Sequence, residues 1–220
     1  MKEYGGVRNN GRGMMDFLLA LRKYRTMLVL GRLGRRIQYF FQYAIIFNIK
    51  RFLRVWGFTA SRYDKLKSLK DKHRGERCFI IATGPSLTIE DLEKLHGETT
   101  FSMNSICLAF DETDWRPTYF GIQDRNVLER LRDRIERLES ECVFIGDNIA
   151  GEIPGKENHY VFPLNLMNHR MAHKKYHSKF SADSFSVVYS GYSITYSLLQ
   201  IAVYMGFKEI YLLGADCSYP

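Results

Sequence analysis

The sequence predicts an open, doubly wound α/β domain, a mostly parallel sheet with helices on both faces, preceded by a basic helical segment. Short β-prone apolar runs alternate with helix-period segments from residue 78 onward, the order a parallel sheet requires. The first run, Cys78-Phe-Ile-Ile-Ala-Thr-Gly-Pro-Ser-Leu87, is apolar at its start and then breaks into a Gly-Pro-Ser turn. That pattern suits a central strand buried on both faces. Charge sets the preceding segment apart: residues 1–77 hold 19 Lys/Arg against 5 Asp/Glu, whereas the remainder holds 13 against 19. Parts of opposite charge have different work to do. The division falls into a basic helical segment at 1–75 and an α/β unit at 76–220.

Residues 14–30 and 37–58 read as helices, rich in Leu, Phe, Tyr and Ile with Arg and Lys interspersed. The most apolar piece, 37–49, is bracketed by Arg35-Arg36 and Lys50-Arg51 and is too short to span a bilayer. Two readings fit it: an amphipathic helix lying on an anionic membrane surface, or a helical hairpin packing its apolar face on the main domain. No DNA- or RNA-binding signature accompanies the charge, so nucleic acid is not expected as a partner. Residues 61–77 read as a charged linker or short helix. Strands follow at 78–83, 99–103, 118–123, 141–145 and 208–213, with helices at 88–95, 125–139 and 191–205. Thr88-Ile-Glu-Asp91 carries a capping-box pattern that opens the first of these helices.

Residues 147–189 read as irregular, a lid or substrate-binding subregion. They carry His159, His169, His173 and His177, the last three spaced by four. No acidic motif accompanies them, and Arg170, Lys174, Lys175 and Lys179 make the region cationic. Contact with an anionic substrate or membrane is therefore expected ahead of a metal site. Cys78, Cys107, Cys142 and Cys217 show no metal-ligand spacing and read as reduced thiols of a cytoplasmic protein. No secretory signal peptide is evident, and no run of 18 or more apolar residues marks a transmembrane helix.

In an open α/β sheet the ligand sits beyond the carboxyl ends of the strands. The Thr83-Gly84-Pro85-Ser86 turn, between a strand and a helix start, reads as an anion site whose backbone N–H groups face a phosphate. The strand at 99–103 delivers Asn104, whose amide suits a ribose hydroxyl, base edge or phosphate. The strand at 118–123 delivers Gln123 and Asp124, and the strand at 208–213 delivers Asp216. Ser190-Gly191, placed at the start of helix 191–205, reads as a second helix N-terminus, with a glycine for close approach. Together these residues predict one nucleotide site.

The pattern Ala82-Thr-Gly-Pro-Ser-Leu87, Asn104, Ser190-Gly191-Tyr192 and Gly206-Phe-Lys-Glu-Ile-Tyr-Leu-Leu-Gly-Ala-Asp-Cys-Ser-Tyr219 resembles the 6-hydroxymethylpterin diphosphokinase MptE-like domain family. It is also similar to the bacterial sialyltransferases that use CMP-sialic acid. The resemblance covers residues 76–220, and its last motif, extending back to Ser190, is the most specific. It implies a Rossmann-like fold. In the sialyltransferase-like reading it also implies a metal-free transfer with no cofactor. Gly84, Pro85 and Ser86 then line the nucleotide, Asn104 and Ser190-Gly191 contact the donor, and Asp216 sits beside the reacting centre as the catalytic candidate. That family's general base is a histidine downstream of the last strand, and the sequence reaches only Pro220, so a domain truncated at its C-terminus is expected. The diphosphokinase reading places ATP on the same turn with Mg²⁺ held by Asp124 and Asp216. The +14 segment favours a transferase of cell-envelope or capsular glycans at the inner face of a membrane. Its expected partners are a nucleotide sugar such as a CMP-linked sugar and a glycan or lipid-linked acceptor. A non-catalytic membrane-associated protein of the same fold is the alternative from another class.

Overall fold

The computed structural model describes residues 10–171 and 178–216, with side chains outside 10–22, 169 and 171. Residues 173, 177 and 217–219, on which the expectations for His173, His177, Cys217 and the end of the last motif fall, lie outside the described residues, as does the side chain of His169.

The chain opens with helix α1 (Asn10–Phe40), a π-helical turn (Phe41–Ile46) and α2 (Phe47–Val55). This continuous rod replaces both the break expected at residues 31–36 and the helical hairpin. Gly31 and Gly34, the signal for that break, sit inside α1 with nothing within 4 Å of where a Cβ would be. A helix tolerates such glycines at about 1 kcal/mol each relative to Ala.

Next come a 3₁₀ turn (Asp64–Leu69), β1 (Arg77–Ile81), α3 (Ile89–Glu93), β2 (Thr100–Met103) and a 3₁₀ stretch (Asn104–Asp111). They are followed by β3 (Tyr119–Ile122), α4 (Arg125–Glu136), β4 (Cys142–Gly146) and β5 (His159–Phe162). The last elements are β6 (Leu164–Asn165), α5 (Met167–Met171), β7 (Val188–Tyr189), α6 (Ile194–Tyr204) and β8 (Glu209–Leu213).

Six strands form one sheet in the order β5-β4-β3-β2-β1-β8, and every pairing is parallel. Successive side chains point to opposite faces, so each strand feeds two cores. Cys78, Ile80, Phe101, Tyr119 and Phe144 pack on one face with Leu198, Ile201 and Ala202 of α6. Ile81, Phe120, Ile122, Val143 and Ile145 pack on the other with Leu92, Leu128 and Ile135 of α3 and α4. From β1 to β5 the chain steps outward one strand at a time. The return through α6 sets β8 beside β1, which makes the β1–β8 boundary the topological switch point.

Two stretches carry more structure than their composition suggests. Residues 61–77, read as charged, fold Leu66 and Leu69 fully into the first core. Residues 147–189, read as irregular, supply β5 at the sheet edge and the small parallel pair β6–β7. The first is dominated by polar residues and docks through a few apolar side chains; in the second the apolar residues are scattered among Gly, Pro, Asn and His without a clear period. Cys78, Cys107 and Cys142 are buried free thiols.

Helix α2 is fastened to the domain through polar groups. Arg54 is only 5% exposed, and its guanidinium donates to the carbonyls of Phe185 (3.1 Å) and Ser186 (2.6 Å). It also lies 4.6 Å over the Tyr63 ring. The outward side of the rod stays apolar, with Phe41, Ile46, Ile49, Phe52 and Trp56 exposed. Around α1 apolar and cationic residues are intermixed, so only α2 has a well-separated apolar face. Among the described residues no helix is long and apolar enough to cross a membrane.

Arg54→Ala strands two buried carbonyls and should cost about 2–4 kcal/mol in urea unfolding. Arg54→Lys should lose most of the same amount, because an ammonium cannot fork to both oxygens while stacking on Tyr63.

Candidate active site at the carboxyl ends of the strands

At the switch point, the loops leaving β1 and β8 are bound to each other. Gly84 N donates to Gly214 O at 2.9 Å, extending the strand pairing past the sheet. The Asp216 carboxylate accepts from Ser86 N at 3.0 Å and from the Ser86 hydroxyl. These two donors hold Asp216 below the usual carboxylate range, the hydroxyl contributing most. A Cβ at Gly84 would run into Gly214 O and come within 2.7 Å of Asp216 Oδ2, so only glycine lets the two loops close. Thr83 and Pro85 flank the contact on the exposed side. The turn therefore corrects one expectation: Ser86 N–H is engaged by Asp216 and does not stand open to a ligand. Residue 84 and residue 216 are far apart in sequence, and only the β1–β8 pairing brings that carboxylate to the turn. The capping box forms as expected, Thr88 Oγ1 accepting from Asp91 N and Asp91 Oδ2 from Thr88 N, each at 3.2 Å.

Asn104 leaves β2 with φ +51°, a left-handed conformation that asparagine adopts more readily than other non-glycine residues. Its Oδ1 is buried and has no hydrogen-bond partner. The start of α6 stands over this strand end and the next. Thr195 Oγ1 lies 3.1 Å from Met103 Sδ, and Ser197 Oγ donates to Gln123 Oε1 at 2.8 Å.

Helix α6 begins at Ile194 with Ser193 as its cap, three residues later than expected, so Ser190 and Gly191 precede the helix and do not form its N-terminus. Ser190 is buried, and its N–H continues the β6–β7 pairing to Asn165 O at 3.1 Å. Gly191 serves an internal approach: a Cβ there would collide with the Tyr196 ring. Tyr192 follows with φ +67°, an outlier for an aromatic residue, and its hydroxyl donates to Asn168 O at 3.1 Å.

The predicted residues thus fall into two groups with Asn104 between them. Gly84, Ser86 and Asp216 meet at β1–β8. Gln123, Asp124 and Ser190 line a cleft of about 400 Å³ beyond β3 and β4, together with Asn148, Arg170 and Tyr192. Asp124 Oδ1 caps α4 by accepting from Asn126 N at 2.8 Å, and Asn148 Nδ2 donates to Gln123 O at 2.9 Å. Asp124 and Asp216 lie at the ends of strands three positions apart, about 14 Å at the spacing of a sheet. They cannot share one Mg²⁺, which corrects the pair expected for the diphosphokinase reading. Among the described residues no three metal-binding side chains gather.

A second cavity of about 470 Å³ lies between α2 and the domain and shares Asn148, Leu164 and Leu166 with the first cleft. Asp147 lines it. Its Oδ2 accepts from Tyr63 hydroxyl at 2.8 Å and its Oδ1 from Leu164 N at 3.3 Å. Burial pushes this carboxyl above the usual range, ahead of the Tyr63 and Leu164 hydrogen bonds and of Arg62 and Arg54, all of which pull it down. Sequence reasoning passed over Asp147, although Gly146-Asp-Asn148 at the end of a predicted strand was the same kind of signal as Gln123-Asp124.

A family profile described as 6-hydroxymethylpterin diphosphokinase MptE-like matches residues 50–220, which takes in part of α2 as well as the sheet. No curated protein matches the chain. Among solved structures, the MAf glycosyltransferase from Magnetospirillum magneticum AMB-1 is similar at a TM-score of 0.45 and 16% identity, over 72% of this chain and 28% of that one. The chain therefore spans little more than a quarter of that protein's length.

Gly84→Ala must push the Gly214 backbone away and should cost about 1–3 kcal/mol in denaturant unfolding. Asp147→Asn should act in the opposite direction. A carboxyl with a raised folded pKa contributes stability that is complete below its ordinary value of about 3.9 and is lost as pH rises through the folded value. Asparagine keeps its carbonyl for Leu164 N–H and turns its amide toward the Tyr63 oxygen. The variant should melt higher than the parent at pH 7, with the difference vanishing below about pH 4.

Proposed function

The chain belongs to the 6-hydroxymethylpterin diphosphokinase MptE-like family, and from that premise we propose that it is a nucleotide-sugar-dependent glycosyltransferase working at a membrane surface. The observation that carries this reading is the row of polar groups that four strand ends and the start of α6 present along the carboxyl edge of the sheet. Nucleotides bind at that position in open α/β sheets. Asn104, with an unpaired Oδ1 and a left-handed backbone, is the residue whose local cost a bound ribose or base would offset. Glycosyl transfer is favoured over pyrophosphoryl transfer because the two candidate Mg²⁺ carboxylates sit at separate sites, each already engaged.

In this reading the donor lies across the ends of β1 to β4. The 83–86 turn borders its nucleotide, Asp216 holds that turn in shape, and Arg170 in the cleft wall supplies positive charge to the phosphate that carries the sugar. Gln123, Asp124, Ser190 and Gly191 bound the sugar side. The resemblance to CMP-sialic-acid-dependent enzymes supports a CMP-linked sugar. Arg35, Arg36 and Lys50, beside the exposed aromatic and aliphatic residues of the rod, support attachment to the inner face of an anionic membrane. An acceptor for cell-envelope glycan would be met there.

The test is a thermal-shift titration of the full chain with CMP and with ATP, each with and without Mg²⁺. The reading expects stabilisation by CMP that ignores Mg²⁺, about 2.7 kcal/mol at a hundredfold excess over Kd. Asn104→Gly, which removes the side chain and relieves the φ strain, should abolish it in a folded protein. Stabilisation by Mg²⁺–ATP alone would select the diphosphokinase instead. Separately, replacing Phe41, Phe52 and Trp56 with serine should release the chain from phosphatidylglycerol vesicles in a sedimentation assay.

A further inference from the structure

We propose that the cavity beneath α2 is the acceptor site, that it takes the sugar head of a neutral glycolipid, and that Asp147 removes the proton from the attacking hydroxyl. This rests on the nucleotide-sugar reading of the neighbouring cleft. The cavity and the cleft share a wall at Asn148, which is itself bonded to Gln123 of the cleft. An acceptor in one therefore abuts a donor in the other.

The chemistry of the lining selects the ligand. Asp147 and the Tyr63 hydroxyl supply hydrogen-bonding groups suited to sugar hydroxyls, and the Tyr43 ring offers an aromatic wall. On the side of the helical rod, Ile46, Phe47 and Leu53 supply apolar surface between Lys50 and Arg54. Ile46 also belongs to the rod's exposed apolar face, continuing through Ile49 and Phe52, so an alkyl chain leaving the cavity stays on the membrane-facing surface. A neutral head is favoured over an anionic one. Of the cations lining the cavity, Arg54 is committed to the carbonyls of Phe185 and Ser186, Arg62 lies over Tyr63 and donates to Asp147 O, and Lys50 is exposed at the surface, while the Asp147 carboxylate faces the space.

Asp216 is ill suited to act as the base, since its carboxylate is engaged by both donors of Ser86 and held at low basicity. Asp147 has the opposite character. Tyr63 and Leu164 each occupy one site on its two oxygens, which leaves further lone pairs for a substrate hydroxyl. Burial raises its proton affinity against the pull of Tyr63, Arg62 and Arg54, as a general base requires. In the step itself the acceptor O–H proton passes to an Asp147 oxygen. The freed electron pair forms the bond to the donor's anomeric carbon, and the bond from that carbon to the nucleotide phosphate breaks with its electrons on the phosphate oxygen.

The experiment is carboxyl NMR of the full chain labelled with ¹³C at aspartate, with the Asp147 resonance assigned by its loss in Asp147→Asn. n-Octyl β-D-glucoside, added below its micelle concentration, should move that resonance saturably, whereas 1-octanol and inorganic phosphate should not. Leu53→Trp, which fills the cavity, should abolish the shift while the CMP thermal shift persists. No movement with the glucoside, or equal movement with octanol or phosphate, overturns the assignment. The CMP titration tests the donor reading independently, so an Asp147 response without CMP binding would separate the two. With a donor that supports label transfer, Asp147→Asn should lower kcat at least 100-fold, remove the acid limb of its pH profile and leave CMP stabilisation unchanged. Turnover that keeps its rate and that limb would assign the proton to another group.

Discussion

The parallel pairing of β1 with β8 is the constraint on which the rest of this structure depends. It runs from Arg77 opposite Glu209 to Ile81 opposite Leu213, and two further hydrogen bonds carry it on to Gly84 and Gly214. Parallel neighbours cannot be joined by a hairpin, so the chain between them must cross the sheet. It leaves across one face, builds the strands from β2 to β5, and returns across the other with α6. Both faces are thereby covered, which is why Ile80 and Ile81, adjacent in sequence, are both fully buried in different cores. The same topology aligns the carboxyl ends of the strands along one edge of the sheet, where the cleft lies beyond β3 and β4. Site and core are two consequences of one topology.

Around that frame the helical rod is attached through polar groups and leaves its apolar side outward. Arg54, Arg51 and the amide of Asn165 to Tyr43 O hold it to the loops that carry β6 and β7. A helix meant to complete a core would do the reverse. Polar fastening fixes the distance between the exposed face and the sheet and keeps a cavity between them, with Asn148, Leu164 and Leu166 as the wall it shares with the cleft.

Two aspartates at strand ends show how environment divides labour between identical side chains. Asp216, exposed and met by two donors, is a fixed anion that shapes a turn. Asp147, enclosed and only partly compensated, retains basicity. Environments that push two carboxyls apart are a recurring way to separate structural from proton-handling roles. The lowered stability that burial of Asp147 implies is the kind of local conflict expected where function overrides folding.

The sequence by itself determined the α/β class, the five main strands to within two residues at their ends, the capping box at Thr88 and the separation of basic and acidic parts. These are local properties: apolar period, turn chemistry and composition act over a few residues. Strands such as β5 escaped notice because His159-Tyr-Val-Phe162 is short, lies amid loop residues and becomes a strand only by pairing with β4. The tertiary structure alone decided which polar groups meet. It brought Asp216 onto the turn at Gly84, separated Asp124 from Asp216, and enclosed Asp147 under α2. Each of those outcomes depends on which strands are neighbours and which face each crossover takes, and no spacing along the chain encodes either.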